Sequence, residues 1–205
     1  MDKIAVTPIF SVPLYTNELM ITEEEKTFFR EQPYVRMDSN NGFYTQDKRI
    51  LENEKLSRLK NEILENIKYY LVDVYKIDLS TIEFYITTSW CNKHVKNDFA
   101  QRHNHKNSIF SGVLYFDIAP SSGNLIIESH TQLFPSPVFE FKHTEWNIFN
   151  SRVWNVYPKE NLLVLFPSTL MHYVGNNTTD TERYSVPFNV FVKGKLGWNE
   201  MELNL

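Results

Sequence analysis

The polar and apolar positions change period about a third of the way along the chain. Thr22-Glu23-Glu24-Glu25 has the form of a capping box, with Thr22 as N-cap and Glu25 three residues on, and predicts a short helix that buries Phe28 and Phe29. Asp38 to Gly42 is polar and reads as a turn. From about Glu52 to Tyr75, Leu56, Leu59, Ile63, Ile67, Tyr70 and Val74 recur at intervals of three and four. This predicts one long amphipathic helix with an apolar stripe to lay on a sheet. Beyond Asp78 the period falls to two. Strands are expected at Ile82–Trp90, Ser108–Phe116, Leu125–Ser129, Val138–Phe141, Val153–Tyr157, Leu162–Phe166 and Tyr184–Val192. Many short strands with no helices between them imply an antiparallel sandwich or barrel. No repeat, low-complexity stretch or linker divides the chain, so one domain is expected over 1–205: a strand and supporting helices over 1–80, and a β core over 81–205.

Composition agrees with a sheet-rich fold. Aromatic residues make up 15% of the 205 residues, and aromatics favour strands. The net charge of −4 disfavours a protein that holds nucleic acid by neutralising phosphates. Cys91 is the only cysteine, which excludes an internal disulfide framework and a cysteine-rich zinc site. The first residues show no signal-peptide pattern, and no apolar run approaches the roughly 18–20 residues that span a bilayer. A cytoplasmic protein with no membrane partner is expected.

The chemistry concentrates in histidine. In the extended segment His103-Asn104-His105, residues i and i+2 point to one side, so both imidazoles can reach one metal ion. A strand pattern, Ser111-Gly112-Val113-Leu114-Tyr115-Phe116, follows directly. Gly123 opens a return strand, the apolar Leu162–Phe166 run leads to His172, and Arg183 lies eleven residues further on. Period-2 alternation places Arg183, Ser185, Pro187 and Asn189 on one face. His94, His130 and His143 fall outside this pattern and read as surface or hydrogen-bonded histidines. Cys91 reads as a small buried residue. Trp146, Asn147 and Phe149 occupy a long segment that suits either a substrate rim or a plain solvent loop.

The ordered set resembles the 2-oxoglutarate and Fe(II)-dependent oxygenases, in particular the prolyl-4-hydroxylase-like oxygenases of bacteria and phages. The resemblance rests on Arg102-His103-Asn104-His105, SGVLYF, Gly123 with its strand, LVLFPSTLMHYV and RYSVPFNV, and at the front on VTPIFSVPLY and TTSW. It implies a mainly β fold with flanking helices: a double-stranded β-helix, the jelly-roll or cupin-like barrel. It implies an oxygenase, a hydroxylase that couples oxidative decarboxylation of 2-oxoglutarate to oxidation of an unidentified substrate, with Fe(II) and 2-oxoglutarate as cofactors. His103 and His172 match the histidine ligands. Arg183 matches the cation that pairs with the distal carboxylate of 2-oxoglutarate, and Ser185 its hydroxyl partner. Tyr115 and Asn189 are further candidates for contact with the cosubstrate.

One position departs from the usual pattern of two histidines and a carboxylate. His105 stands where the carboxylate is normally found. Either His105 is the third ligand, or a carboxylate comes from Asp98, Asp117 or Glu128. Three neutral imidazoles leave a divalent metal at full charge and suit Fe, Ni, Cu and Zn. A three-histidine barrel that does not use 2-oxoglutarate, catalytic or purely binding, is the alternative. The substrate is expected to be a peptide or small molecule, and a homodimer is compatible with the sequence. Because protons compete with metal for imidazoles of ordinary pKa near 6.5, activity is expected to fall below about pH 6.

Overall fold

The structure, a computed structural model, describes residues 4–9, 11–37, 42–129 and 141–205. In chain order the elements are β1 (Tyr15–Glu18), α1 (Glu23–Arg30), β2 (Tyr34–Arg36), β3 (Phe43–Thr45), α2 (Ser57–Tyr69), β4 (Ile82–Ser89), β5 (Asn92–His94), β6 (Ala100–His103), β7 (Phe110–Phe116), β8 (Leu125–Glu128), β9 (Val153–Val156), β10 (Leu162–Pro167), β11 (His172–Val174), β12 (Arg183–Leu196) and β13 (Leu203–Asn204). Residues 38–41 of the turn expected over Asp38–Gly42, His130, and residues 138–140 of the strand expected at Val138–Phe141 lie outside the described residues.

The strands form two antiparallel sheets. The larger has the order β1-β10-β7-β12-β5-β3-β2, with β4 and β13 also paired to β12; the smaller has the order β6-β11-β8-β9. The long β12 holds the larger sheet together. Its first half lies between β5 and β7, and its second half pairs with β4. The two sheets facing one another make a double-stranded β-helix.

Period-2 alternation decides which side chains face the helices and which face the barrel interior. On β12, Tyr184, Val186, Phe188 and Val190 join Leu114 and Phe116 of β7 and Leu163 and Leu165 of β10 in one core, completed by Phe29 of α1 and Leu59, Ile63 and Ile67 of α2. The alternate residues Val113, Tyr115, Leu162, Val164 and Phe166 form a second core with Leu125 and Ile127 of β8 and Val156 of β9. This second core fills the barrel between the sheets.

The capping box on α1 forms as the sequence predicts: Thr22 Oγ1 accepts from the Glu25 N–H, and Glu25 accepts from the Thr22 N–H. The long helix is less regular than its periodicity implies. Two 3₁₀ turns, Ile50–Glu52 and Glu54–Leu56, precede α2, and a π turn over Tyr70–Val74 follows it. The Tyr75 N–H reaches back five residues to the Tyr70 carbonyl, so the last turn holds an extra residue and the stripe rotates. Leu71 is buried there, and Val74, expected on the buried stripe, is 41% exposed.

Beyond the one strand expected over 1–80, six pairing strands were not among the expected ones: β2, β3, β5, β6, β11 and β13. Each is two to four residues long, too short to show a period. Gly123 matches its place before a return strand for a steric reason. It sits at φ +99°, and a Cβ there would lie 2.2 Å from the Gly175 carbonyl oxygen.

Candidate metal centre and anion site

Three histidines that are far apart in sequence meet on the smaller sheet. His103 ends β6, His172 begins β11, and the two lie directly opposite one another in the antiparallel register. His105, two residues past β6, is held by its N–H to the Ser168 carbonyl at 3.1 Å. Ring centroids are 4.3 Å apart for His103–His172, 5.0 Å for His105–His172 and 5.1 Å for His103–His105. One nitrogen from each ring lies within 4.8 Å of the others, a group able to hold a metal ion.

The hydrogen bonds around the rings suit this use. Nδ1 of His103 lies 2.6 Å from the Gln101 carbonyl, and Nδ1 of His172 lies 2.9 Å from the Leu170 carbonyl. A carbonyl can only accept, so both rings carry their proton on Nδ1, which leaves Nε2 as a lone-pair donor. Burial, with the neighbouring imidazoles His172 and His103 adding to it, holds His105 down to about 3. Burial likewise holds His172 down to about 4, partly opposed by its bond to the Leu170 carbonyl. Both rings are therefore neutral at ordinary pH, the form that binds metal.

The candidate carboxylates are all engaged elsewhere. Asp98 takes a two-pronged bond from Arg36 at 2.6 and 3.1 Å. Asp117 takes one from Arg30 at 2.7 and 2.8 Å. Glu128 pairs with Arg102 at 2.7 Å. Among the described residues no carboxylate joins the histidine group.

Arg183 lies at the start of β12, with only 1% of its surface exposed. Its Nη1 donates to Nδ1 of His94 at 3.3 Å, and its guanidinium carbon lies 5.1 Å from the centre of the Tyr115 ring. Its Nε has no hydrogen-bond partner, and no acidic side chain among the described residues pairs with it. Burial pulls the guanidinium below its ordinary range, with Tyr115 acting against that shift. A guanidinium nevertheless stays charged, so the interior holds a cation with no acidic partner among the described residues. Ser185 is buried two residues on, directly opposite Tyr115 in the β7–β12 register.

Asn189 is placed differently from the expectation. Its amide oxygen accepts from Ser111 Oγ at 2.9 Å and its amide nitrogen donates to Thr88 Oγ1 at 3.0 Å. Ser111 continues to Ser168 and Ser168 to Ser108, each at 2.7 Å. The Asn189 side chain is thus taken up in a polar chain beneath the turn that carries His105.

His94, read from the sequence as surface or hydrogen-bonded, is buried and is the neutral acceptor for Arg183. Only the β5–β12 register, which sets His94 opposite Arg183, reveals this role. Gly42, at φ +80°, lets the backbone close over His94, because a Cβ there would lie 2.3 Å from the imidazole. Cys91 is fully buried as expected, and burial pushes its thiol up to about 12. His143 packs on Trp146, ring centroids 4.7 Å apart, in the exposed segment before β9, away from the histidine cluster.

A histidine trio on one wall of a double-stranded β-helix and a buried arginine on the other define the class of protein. Residues 88–189 match the family model described as "Putative 2OG-Fe(II) oxygenase". The chain belongs to the 2-oxoglutarate/Fe(II) oxygenases. Solved structures show the same fold at low identity. The α-ketoglutarate-dependent epimerase SnoN from nogalamycin biosynthesis is 13% identical with a TM-score of 0.61, over 89% of this chain and 80% of that one. HygX from Streptomyces hygroscopicus, solved with nickel and 2-oxoglutarate, is 10% identical with a TM-score of 0.59, over 87% and 82%. A Pseudomonas putida prolyl-4-hydroxylase is 13% identical with a TM-score of 0.55, over 87% and 93%. No curated protein matches the chain in sequence. No described helix is long and apolar enough to cross a membrane.

Proposed function

We propose that the protein binds Fe(II) through His103, His105 and His172 and binds 2-oxoglutarate against Arg183, and that it oxidises a small-molecule or peptide substrate. The observation that carries this reading is the buried Arg183, which has no acidic partner among the described residues and faces the same interior as the histidines. A lone buried cation is costly, and a carboxylate with which it forms a two-pronged pair removes most of that cost. Ser185 adds a hydroxyl donor on the same face. His94 holds Nη1 and so orients the guanidinium plane, and Tyr115 covers the guanidinium from above. The bonds from His103 and His172 to backbone carbonyls fix both rings in the tautomer that presents Nε2. Held by His103, His105 and His172 and by Arg183, iron and 2-oxoglutarate would supply the oxidising chemistry, with 2-oxoglutarate decarboxylated to succinate. The protein positions the two and keeps water from the Arg183 end. No protein acid or base is assigned a proton-transfer role.

That no carboxylate among the described residues joins the ligand group favours one second reading, a three-histidine metal protein indifferent to 2-oxoglutarate. Conversion of labelled 2-oxoglutarate to succinate separates the two. The proposal expects succinate that depends on Fe(II) and oxygen, and none from His172→Ala. A protein that takes up metal but neither binds nor converts 2-oxoglutarate supports the second reading.

A further inference from the structure

The register of the smaller sheet extends the histidine row outward. His172 lies opposite His103 on one side and Ile127 on the other, and Ile127 lies opposite Trp154 of β9. Directly opposed residues in antiparallel strands project from the same face. Trp154 therefore shares the interior face with the three-histidine group, two strands from His172, at a strand-to-strand distance of about 10 Å. Alternation along β9 gives the same answer independently: Val156, two residues on, lies within the barrel core. Yet Trp154 is 49% exposed, and no described ring packs on it. An indole on the inner face that still meets solvent lies where the barrel opens. A second indole, Trp90, packs beside His105 at the other end of the row, with centroids 6.2 Å apart. The segment leading into β9 adds exposed Trp146, Ile148 and Phe149.

We propose that Trp154 is the specificity-determining wall of the substrate site, and that the primary substrate presents a flat, apolar ring to it. Indoles recognise planar faces by stacking and contribute little to a flexible polar chain. The row places such a ring between Trp154 and the metal position, within reach of the oxidising centre. Ile127 forms the apolar floor between them. This inference rests on the three-histidine reading of the metal site.

The test loads the full-length protein with Mn(II) and 2-oxoglutarate and records paramagnetic broadening of the ring protons of 2-naphthol by NMR. Bound Mn(II) is verified independently from enhanced water-proton relaxation. Strong broadening is expected for the native protein, a drop of about fivefold or more for Trp154→Ala, and retention of most of the effect for Trp154→Phe. tert-Butanol, apolar in part but with no flat face, should show little. Should Trp154→Ala fail to fold, Trp154→Gln is read in its place. Bound Mn(II) with naphthol broadening equal in native and Trp154 variants overturns the inference. So does bound Mn(II) with no broadening in the native protein. Absence of enhanced water relaxation overturns the metal-site reading, and this inference with it.

Discussion

Replacing Arg183 with methionine is expected to leave the metal-free, cosubstrate-free protein about as stable as before, and to abolish its response to 2-oxoglutarate. The guanidinium is buried, lacks an acidic partner among the described residues, and leaves Nε unbonded. Swapping a buried ionic group for a well-packed apolar one of similar volume is often neutral or stabilising by about 1–4 kcal/mol. Set against this are a 3.3 Å bond to His94 and a ring contact with Tyr115, worth about 1 kcal/mol each. The net expectation lies between a loss of about 1 and a gain of about 2 kcal/mol, which for a chain of this size moves Tm by about 8 °C at most. The native protein with metal, at 2-oxoglutarate a hundredfold above its Kd, should gain about 2.7 kcal/mol more. Arg183→Met should gain nothing, because loss of a buried charge partner costs about 2–5 kcal/mol of binding. Thermal unfolding by circular dichroism, with and without Mn(II) and 2-oxoglutarate, reads both effects. A variant destabilised by more than 2 kcal/mol would show that Arg183 is already satisfied as a structural cation. A variant that keeps the 2-oxoglutarate shift would show that the carboxylate binds elsewhere.

Two further outcomes follow from the histidine group. His105→Ala should lose most of the bound metal by elemental analysis, whereas Glu128→Gln should keep it; unchanged metal in His105→Ala would remove His105 from the ligand set. The metal-free protein should lose stability as pH falls from about 6.5 toward 4. His105 and His172 are held down to about 3 and about 4 when folded, so the unfolded chain takes up protons that the folded one refuses. Each ring then contributes a slope of at most about 1.4 kcal/mol per pH unit over that window, with full stability above it. Urea unfolding between pH 4 and 8 measures the slope, and a flat profile would refute the burial of these rings. These shifts also move the acid limit for these two rings below the pH 6 expected of ordinary imidazoles.

Local pattern alone carried much of the barrel. Alternation along β12 separated Arg183 and Ser185 from Tyr184 and Val186 because successive side chains of a strand point to opposite faces, here an apolar helix-side core and a barrel interior that takes polar groups. The His103-Asn104-His105 spacing and the capping box at Thr22 depend on residues no more than three apart, so both were legible in the same way. The fold decided whatever depends on register between distant strands. Arg183 and His94 are 89 residues apart, and Arg30 and Asp117 are 87 apart. No periodicity predicts which arginine neutralises which carboxylate, yet those pairings are what leave histidine alone in the metal group. Asn189 followed the alternation rule, but its amide was claimed by Ser111 and Thr88 through packing of β4 and β7 against β12. Trp154 has no local signal that sets it apart from other strand aromatics, and only pairing across β8 and β11 sets it in line with His172. Side-chain identity and period determine the face a residue occupies. Only the closed barrel determines which other residues share that face, because partners across a sheet are chosen by the packing of the whole chain.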